Sequence, residues 1–244
     1  MTLLILSLAP VALILAYIYF RDKYEKEPVG LILRGLLAGG IILFPAAIIE
    51  TLLSRLQTGW STMPSALYTG FVVAGFTEEL FKFLMVSLLF LRNRNFNERY
   101  DGIVYAVAIS LGFAAVENVM YVLKGGMQVG IIRAFTAVPA HAFFGIVMGY
   151  YFGLARFVPG ARSANLSKAF VIPWLLHGLY DFLLLSQNQW LLLCFIPLMF
   201  ILWRIGIKRM KLHQQASAFN PDSGNFLELP VGEEIENGDK NEVV

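Results

Sequence analysis

The chain is poor in charge and almost without cysteine. Of its 244 residues, 15% are charged and one is cysteine, whereas a soluble domain is typically about 25% charged. Cys194, alone, cannot form an intrachain disulfide and lies in an apolar run, so packing is its expected role, and it says nothing about redox compartment. Residues 1–20 contain no lysine or arginine, and Arg21, Lys23 and Lys26 follow that apolar run. This excludes the basic n-region of a cleaved leader and reads as a retained first span. No internal repeat is evident, no HExxH is present, and no serine or cysteine has a base near it. The net charge of +2 carries no nucleic-acid signature, because the basic residues flank apolar segments, where membrane topology already explains them.

What is abundant is apolar sequence. The chain is 57% hydrophobic with a mean hydropathy of +0.65, and runs of about 20 residues, enough to cross a bilayer, recur along it. Seven spans are expected, at about 2–20, 30–53, 66–91, 102–123, 132–155, 168–186 and 189–207. Basic residues cluster in alternate loops, with Arg92, Arg94 and Arg99 after the third span and Arg156, Arg162 and Lys168 after the fifth. Arg204, Lys208, Arg209 and Lys211 mark the C-terminal flank. That alternation places the N-terminus outside and the C-terminus in the cytoplasm. The fold class is therefore an all-α polytopic helical bundle in a lipid bilayer. Residues 1–211 form its one membrane domain. Residues 212–244, rich in Asp and Glu with Asn, Gly and Pro, read as a disordered acidic cytoplasmic tail.

Against this background six ionisable side chains sit where lipid should be: Glu78, Glu79, Glu117, His141, His177 and Asp181. A charge at the bilayer centre costs roughly 2.5–3.5 kcal/mol on insertion scales, so such groups pair, line a wet cavity or do chemistry. Lys82 lies at i+4 from Glu78 and i+3 from Glu79 and can pair with one of them. The two glutamates project about 100° apart, so a shared partner is not expected. Glu117 is followed by Asn118, whose amide could bridge helices or donate to a substrate. Arg133, near the outer interface, reads either as snorkelling to headgroups or as part of the site. Pro139 falls early in the fifth span, just before His141. His177 and Asp181 share a helix face at i,i+4, and Gly178 leaves room for a close helix or ligand. By the expected topology all six groups share one layer, central to outer leaflet, and a water-filled cavity opening outward is implied.

At these residues the chain resembles the PrsW family of intramembrane proteases, itself related to the CAAX-processing and bacteriocin-immunity membrane peptidases. The matching segments are Glu78-Glu79-x-x-Lys82, Gly112-Phe113-x-x-x-Glu117-Asn118, Arg133 through Pro139 to His141, and His177-x-x-x-Asp181. Asp22-x-x-Glu25-x-Glu27-Pro28 is similar too. The resemblance implies a multi-pass protease of the bacterial inner (cytoplasmic) membrane. It implies as partner a single-span membrane protein such as an anti-sigma factor, cut on its extracytoplasmic side in the first step of regulated proteolysis. It also implies that Glu78, Glu79 and His177 are essential and His141 supports them.

Two chemistries remain open on the residues. A glutamate of the pair could act as general base on water, with His141 or His177 placing the water or protonating the leaving amine. Alternatively His141, His177 and Glu78 could hold Zn, with a fourth position for water. The cofactor expectation is thus none or zinc. Two other classes compete: a proton- or ion-coupled transporter, since relays of Asp, Glu and His also mark proton paths, and a non-catalytic scaffold or immunity-type protein. Carriers commonly show repeats and broken helices, and a scaffold would need no convergence of His and Glu.

Overall fold

The computed structural model describes residues 1–222. Among them every regular element is helical: α1 (Thr2–Arg21), α2 (Val29–Ser54), α3 (Thr62–Tyr68), α4 (Gly75–Leu89), α5 (Asp101–Phe135), α6 (Ala137–Phe157), α7 (Arg162–Leu185), α8 (Gln189–Leu193) and α9 (Phe195–Gln215). Five stretches are long and apolar enough to cross a membrane: Thr2–Arg21, Val29–Gln57, Asp101–Phe157, Arg162–Leu185 and Gln189–Gln215. Helices suit such sequence because they satisfy every backbone polar group within the segment, which lipid cannot do.

The longest stretch is two helices folded back on each other. The backbone leaves helical geometry at Thr136 (φ −120°, ψ −74°), and α6 then starts with Pro139 in its first turn, where a missing N–H costs nothing. Residues 124–131, expected to form a loop, are helical around a kink at Gly126, whose φ of 75° suits glycine. Arg133 therefore closes α5 rather than opening α6.

The segment 62–89 also departs from a single regular helix. Between α3 and α4 the turns over Thr69–Ala74 widen to a π-helix, a feature common at functional sites. Here α7 comes closest. A Cβ at Gly70 would lie 2.7 Å from the Gly178 carbonyl oxygen, and one at Gly75 would lie 3.0 Å from its nitrogen. A Cβ at Gly178 would strike the Phe71 ring, so the space left by this glycine receives a helix, not a ligand.

α5 and α6 form the centre of the bundle, with nearly every side chain of 101–114 and 140–150 buried. The surrounding helices bury one face and turn large apolar residues outward, among them Leu13, Leu37, Phe44, Ile48, Phe200 and Trp203. This is a lipid-facing surface. At the C-terminal end α9 continues to Gln215, with Leu212, His213, Ala216, Ser217 and Asn220 buried, so the chain packs on the bundle as far as Asn220. The remainder of the acidic tail, from 223, lies outside the described residues.

Candidate active site

Lys82 stands at the centre of the buried polar groups. Its ammonium donates to Glu78 Oε2 at 3.0 Å, to Glu79 Oε1 at 2.8 Å and to His141 Nδ1 at 3.1 Å. Both glutamates thus share the partner that sequence reasoning gave to one of them. Lys82 projects between their two azimuths, about 40° from Glu78 and about 60° from Glu79, and its long stem reaches both. The ammonium is fully buried and spends all three of its donors; its fourth neighbour is the Phe113 ring, 4.6 Å away.

Each histidine passes the network on. His141 Nδ1 accepts from Lys82, so Nε2 carries the proton and donates to Glu117 Oε2 at 3.0 Å. Glu117 also receives Arg133 Nη2 at 2.7 Å, and Arg133 Nε donates to Asn118 Oδ1 at 2.8 Å. Arg133 is therefore turned inward, away from headgroups. Asn118 gives its amide N–H to the Ser7 carbonyl of α1 at 2.9 Å. Fully buried and bonded at both ends, it ties helices together and is not free to stabilise an oxyanion. On the other side, His177 Nδ1 meets Glu79 Oε1 at 2.9 Å, while Nε2 faces Asp181 Oδ2 at 3.4 Å. The two imidazoles stand perpendicular with centroids 5.4 Å apart, and Phe144 stacks on His177 at 4.8 Å.

All nine residues singled out from the sequence, Glu78, Glu79, Lys82, Glu117, Asn118, Arg133, His141, His177 and Asp181, thus enter one network drawn from α4, α5, α6 and α7. A cavity of about 620 Å³ opens beside it, lined by Glu78, Glu117, Arg133, His141, His177 and Asp181 among others. Glu79 does not line it. One lining carboxylate was missed: Glu50, near the end of α2, which has a buried Oε1 without a partner. Its only signal was a single acid late in an apolar run, easily taken for the start of the next loop.

A sequence model described as "PrsW family intramembrane metalloprotease" matches residues 27–204. The chain belongs to the PrsW family. Among curated proteins named Protease PrsW, that of Bacillus subtilis (strain 168) is 36% identical over 206 residues, covering 84% of this chain and 92% of that protein. The one from Geobacillus kaustophilus (strain HTA426) is 39% identical over 184 residues, covering 75% and 80%. That of Clostridioides difficile (strain 630) is 33% identical over 223 residues, covering 88% and 92%. No solved structure matches. This PrsW-family chain is thus a multi-pass membrane protease.

The family's description names a metal, and Glu78, Glu79, His141 and His177 do hold four potential ligand atoms within 4.8 Å of one another. Two imidazoles with carboxylates are a zinc-type donor set. The centre of that set, however, already contains a cation, because Lys82 Nζ sits within 3.1 Å of three of these residues. Zinc would need the same lone pairs at about 2.0–2.2 Å and would be repelled by the ammonium. In this arrangement the residues do not fit an ion.

Proposed function

We propose that this protein is an intramembrane endopeptidase that hydrolyses a single-span membrane protein, an anti-sigma factor being the favoured substrate class, with water activated by glutamate. One observation carries the mechanism: the buried Lys82 ammonium is bonded at once to Glu78, Glu79 and His141. It gives two adjacent carboxylates a counter-charge that belongs to the chain itself. Glu78, which faces the cavity, takes the proton of a water as that water attacks the scissile carbonyl carbon. Glu79, anchored between Lys82 and His177, fixes the imidazole by accepting its Nδ1–H; His177 acts as an imidazolium set between Glu79 and Asp181, gives its Nε2 proton to the leaving amine, and is recharged by the proton that Glu78 took from water. His141, Glu117 and Arg133 hold the opposite wall, and Asp181 orients His177. The glutamate chemistry agrees with a relation to the CAAX-processing peptidases.

We also infer seven spans, with segment 62–89 and each of α5 and α6 crossing separately, the N-terminus outside and the C-terminus in the cytoplasm of a cell with this protease in its inner membrane. The loop charges support this topology. It opens the cavity, bounded by the C-terminal end of α2, toward the extracytoplasmic side. The test is cleavage of a single-span reporter in proteoliposomes. Wild type should cut, and Glu78→Gln, Glu79→Gln and His177→Ala should each lose activity while still eluting as folded protein. Normal cleavage by Glu78→Gln would overturn the mechanism, and directional transport without cleavage would overturn the activity.

A further inference from the structure

A second group of carboxylates lies at the opposite end of the bundle, where the protease chemistry has no use for it. Asp22 and Glu27 come from the turn between α1 and α2, and Glu98 and Asp101 from the turn into α5. All four are at most 2% exposed, and Glu25 is half-buried beside them. Oxygens of Asp22, Glu98 and Asp101 lie within 4.8 Å of one another, as do those of Glu25, Glu27 and Asp101. Asp101 thus joins both triads.

The partners of these carboxylates are unevenly spent. Asp101 Oδ2 accepts the backbone N–H groups of Asn97 and Glu98, each at 2.8 Å, and Oδ1 has no partner. Glu27 Oε2 accepts the Tyr105 hydroxyl, and Oε1 has no donor from outside the cluster; within it the carboxyls of Glu27 and Asp101, and those of Asp22 and Glu98, meet at hydrogen-bond distance. Asp22 Oδ2 and Glu25 Oε2 are likewise buried and unpartnered, while Glu98 Oε2 accepts the Ser217 hydroxyl. Hydrogen bonds from the protein hold one oxygen of several acids in place, and the oxygens left over are buried close together. Burial, with neighbouring carboxylates adding to it, pushes Asp22 up to about 8 and Glu27 up to about 7 and raises Glu98. Among the described residues no lysine or arginine forms an ion pair with any of the five. Orphaned buried carboxylate oxygens are costly unless a cation meets them.

We propose that this cluster is a binding site for one hard divalent cation, Ca²⁺ or Mg²⁺, ligated by Asp22, Glu98 and Asp101 with Glu25 or Glu27 completing the shell. The donors are all oxygen, without imidazole or thiolate, which selects this class over zinc or copper. A bound ion would pin the α1–α2 turn to the start of α5 and, through Ser217 on Glu98, to the end of α9.

The experiment uses the full chain, purified in detergent and stripped with EDTA. It is titrated with CaCl₂, MgCl₂ and, for ionic strength, KCl, while binding is followed by calorimetry and thermal unfolding. Saturable binding of one ion per chain is expected, with a rise in the unfolding midpoint that KCl does not reproduce; the tighter of the two titrants identifies the ion. Asp22→Asn and Glu98→Gln should each weaken binding by about tenfold or more. Glu25→Gln, which removes an unpartnered oxygen and asks little of the fold, should weaken it too. Glu78→Gln should bind as wild type does. Absence of saturable binding would overturn the proposal. So would binding unchanged in all three loop variants, binding lost in Glu78→Gln, or stabilisation by acid in EDTA with no response to either ion.

Discussion

Replacing Lys82 by methionine keeps the stem and removes the charge that the site is built around. Three hydrogen bonds disappear together, at 2.8, 3.0 and 3.1 Å, from a side chain with 0% exposure. Removing one partner of a buried ion pair typically costs about 3–5 kcal/mol, because the charge left behind has lost its compensation. The two glutamates would not suffer equally. Glu79 keeps His177 at 2.9 Å, whereas Glu78 has only His141 Nδ1, 3.9 Å away. Glu78 should therefore lose both its counter-charge and its anchor at the cavity wall, with a loss of about 10²–10⁴-fold in cleavage. Denaturant unfolding in detergent should show the stability loss, and the proteoliposome cleavage assay the rate loss. Lys82→Met/Glu78→Gln should recover a large part of the stability and none of the activity. If Lys82→Met unfolds within about 1 kcal/mol of wild type, the scale of an ordinary surface change, and cleaves normally, the central role of the ammonium is refuted. If it gains one tightly held zinc per chain and stays active, the metal chemistry replaces the one proposed.

Glu50→Gln should leave stability equal to or above wild type, since it removes a buried carboxylate oxygen without a partner, while changing cleavage; a large loss of stability would show that Glu50 has a partner in the membrane. Arg133→Gln and Glu117→Gln should be non-additive, with a coupling of about 0.5–3 kcal/mol in a double-mutant cycle, given their 2.7 Å contact; additive losses would mean that Arg133 faces headgroups after all. A chelator that prefers zinc over calcium and magnesium, such as 1,10-phenanthroline, should leave cleavage unchanged, and elemental analysis should find well under one zinc per chain; stoichiometric zinc with chelator-sensitive activity would contradict the glutamate mechanism.

Which residues meet was legible because the cost of charge in lipid is so one-sided. Glu78, Glu79, Glu117, His141, His177 and Asp181 stand out in apolar runs, and the structure joins all of them through Lys82 and Arg133. The third histidine, His213, lies beyond the last expected span and does something else: buried, it bonds the Arg99 carbonyl at 2.9 Å and stacks on Tyr150. What could not be read was the sharing of one ammonium by adjacent glutamates, since helical azimuth gives the direction of Cβ and not the reach of a lysine. The inward turn of Arg133 was hidden for the same reason. The π-turn at Thr69–Ala74 packs against α7, and no local pattern announces it; the kink at Gly126 was signalled by the Gly125-Gly126 pair, but as a loop and not as a bend within helical sequence. Glu50 went unnoticed because a lone carboxylate near a helix end is as common at an interface as in a cavity.

The two acid clusters solve the same problem differently. Around the cavity, Glu78 and Glu79 have Lys82, Glu117 has Arg133, and the histidines bridge Glu79, Glu117 and Asp181; Glu50 keeps an unpartnered oxygen, but the cations that meet the other acids belong to the chain. At the far end five carboxylates converge, and among the described residues their hydrogen bonds come from hydroxyls and backbone N–H groups, which orient oxygens without forming an ion pair. A fold that could place Lys82 among the first group could have placed a lysine among the second. Leaving that centre to an exchangeable ion makes the packing of the α1–α2 turn, the start of α5 and the end of α9 depend on what the solution supplies, while the network around Lys82 carries its own cations.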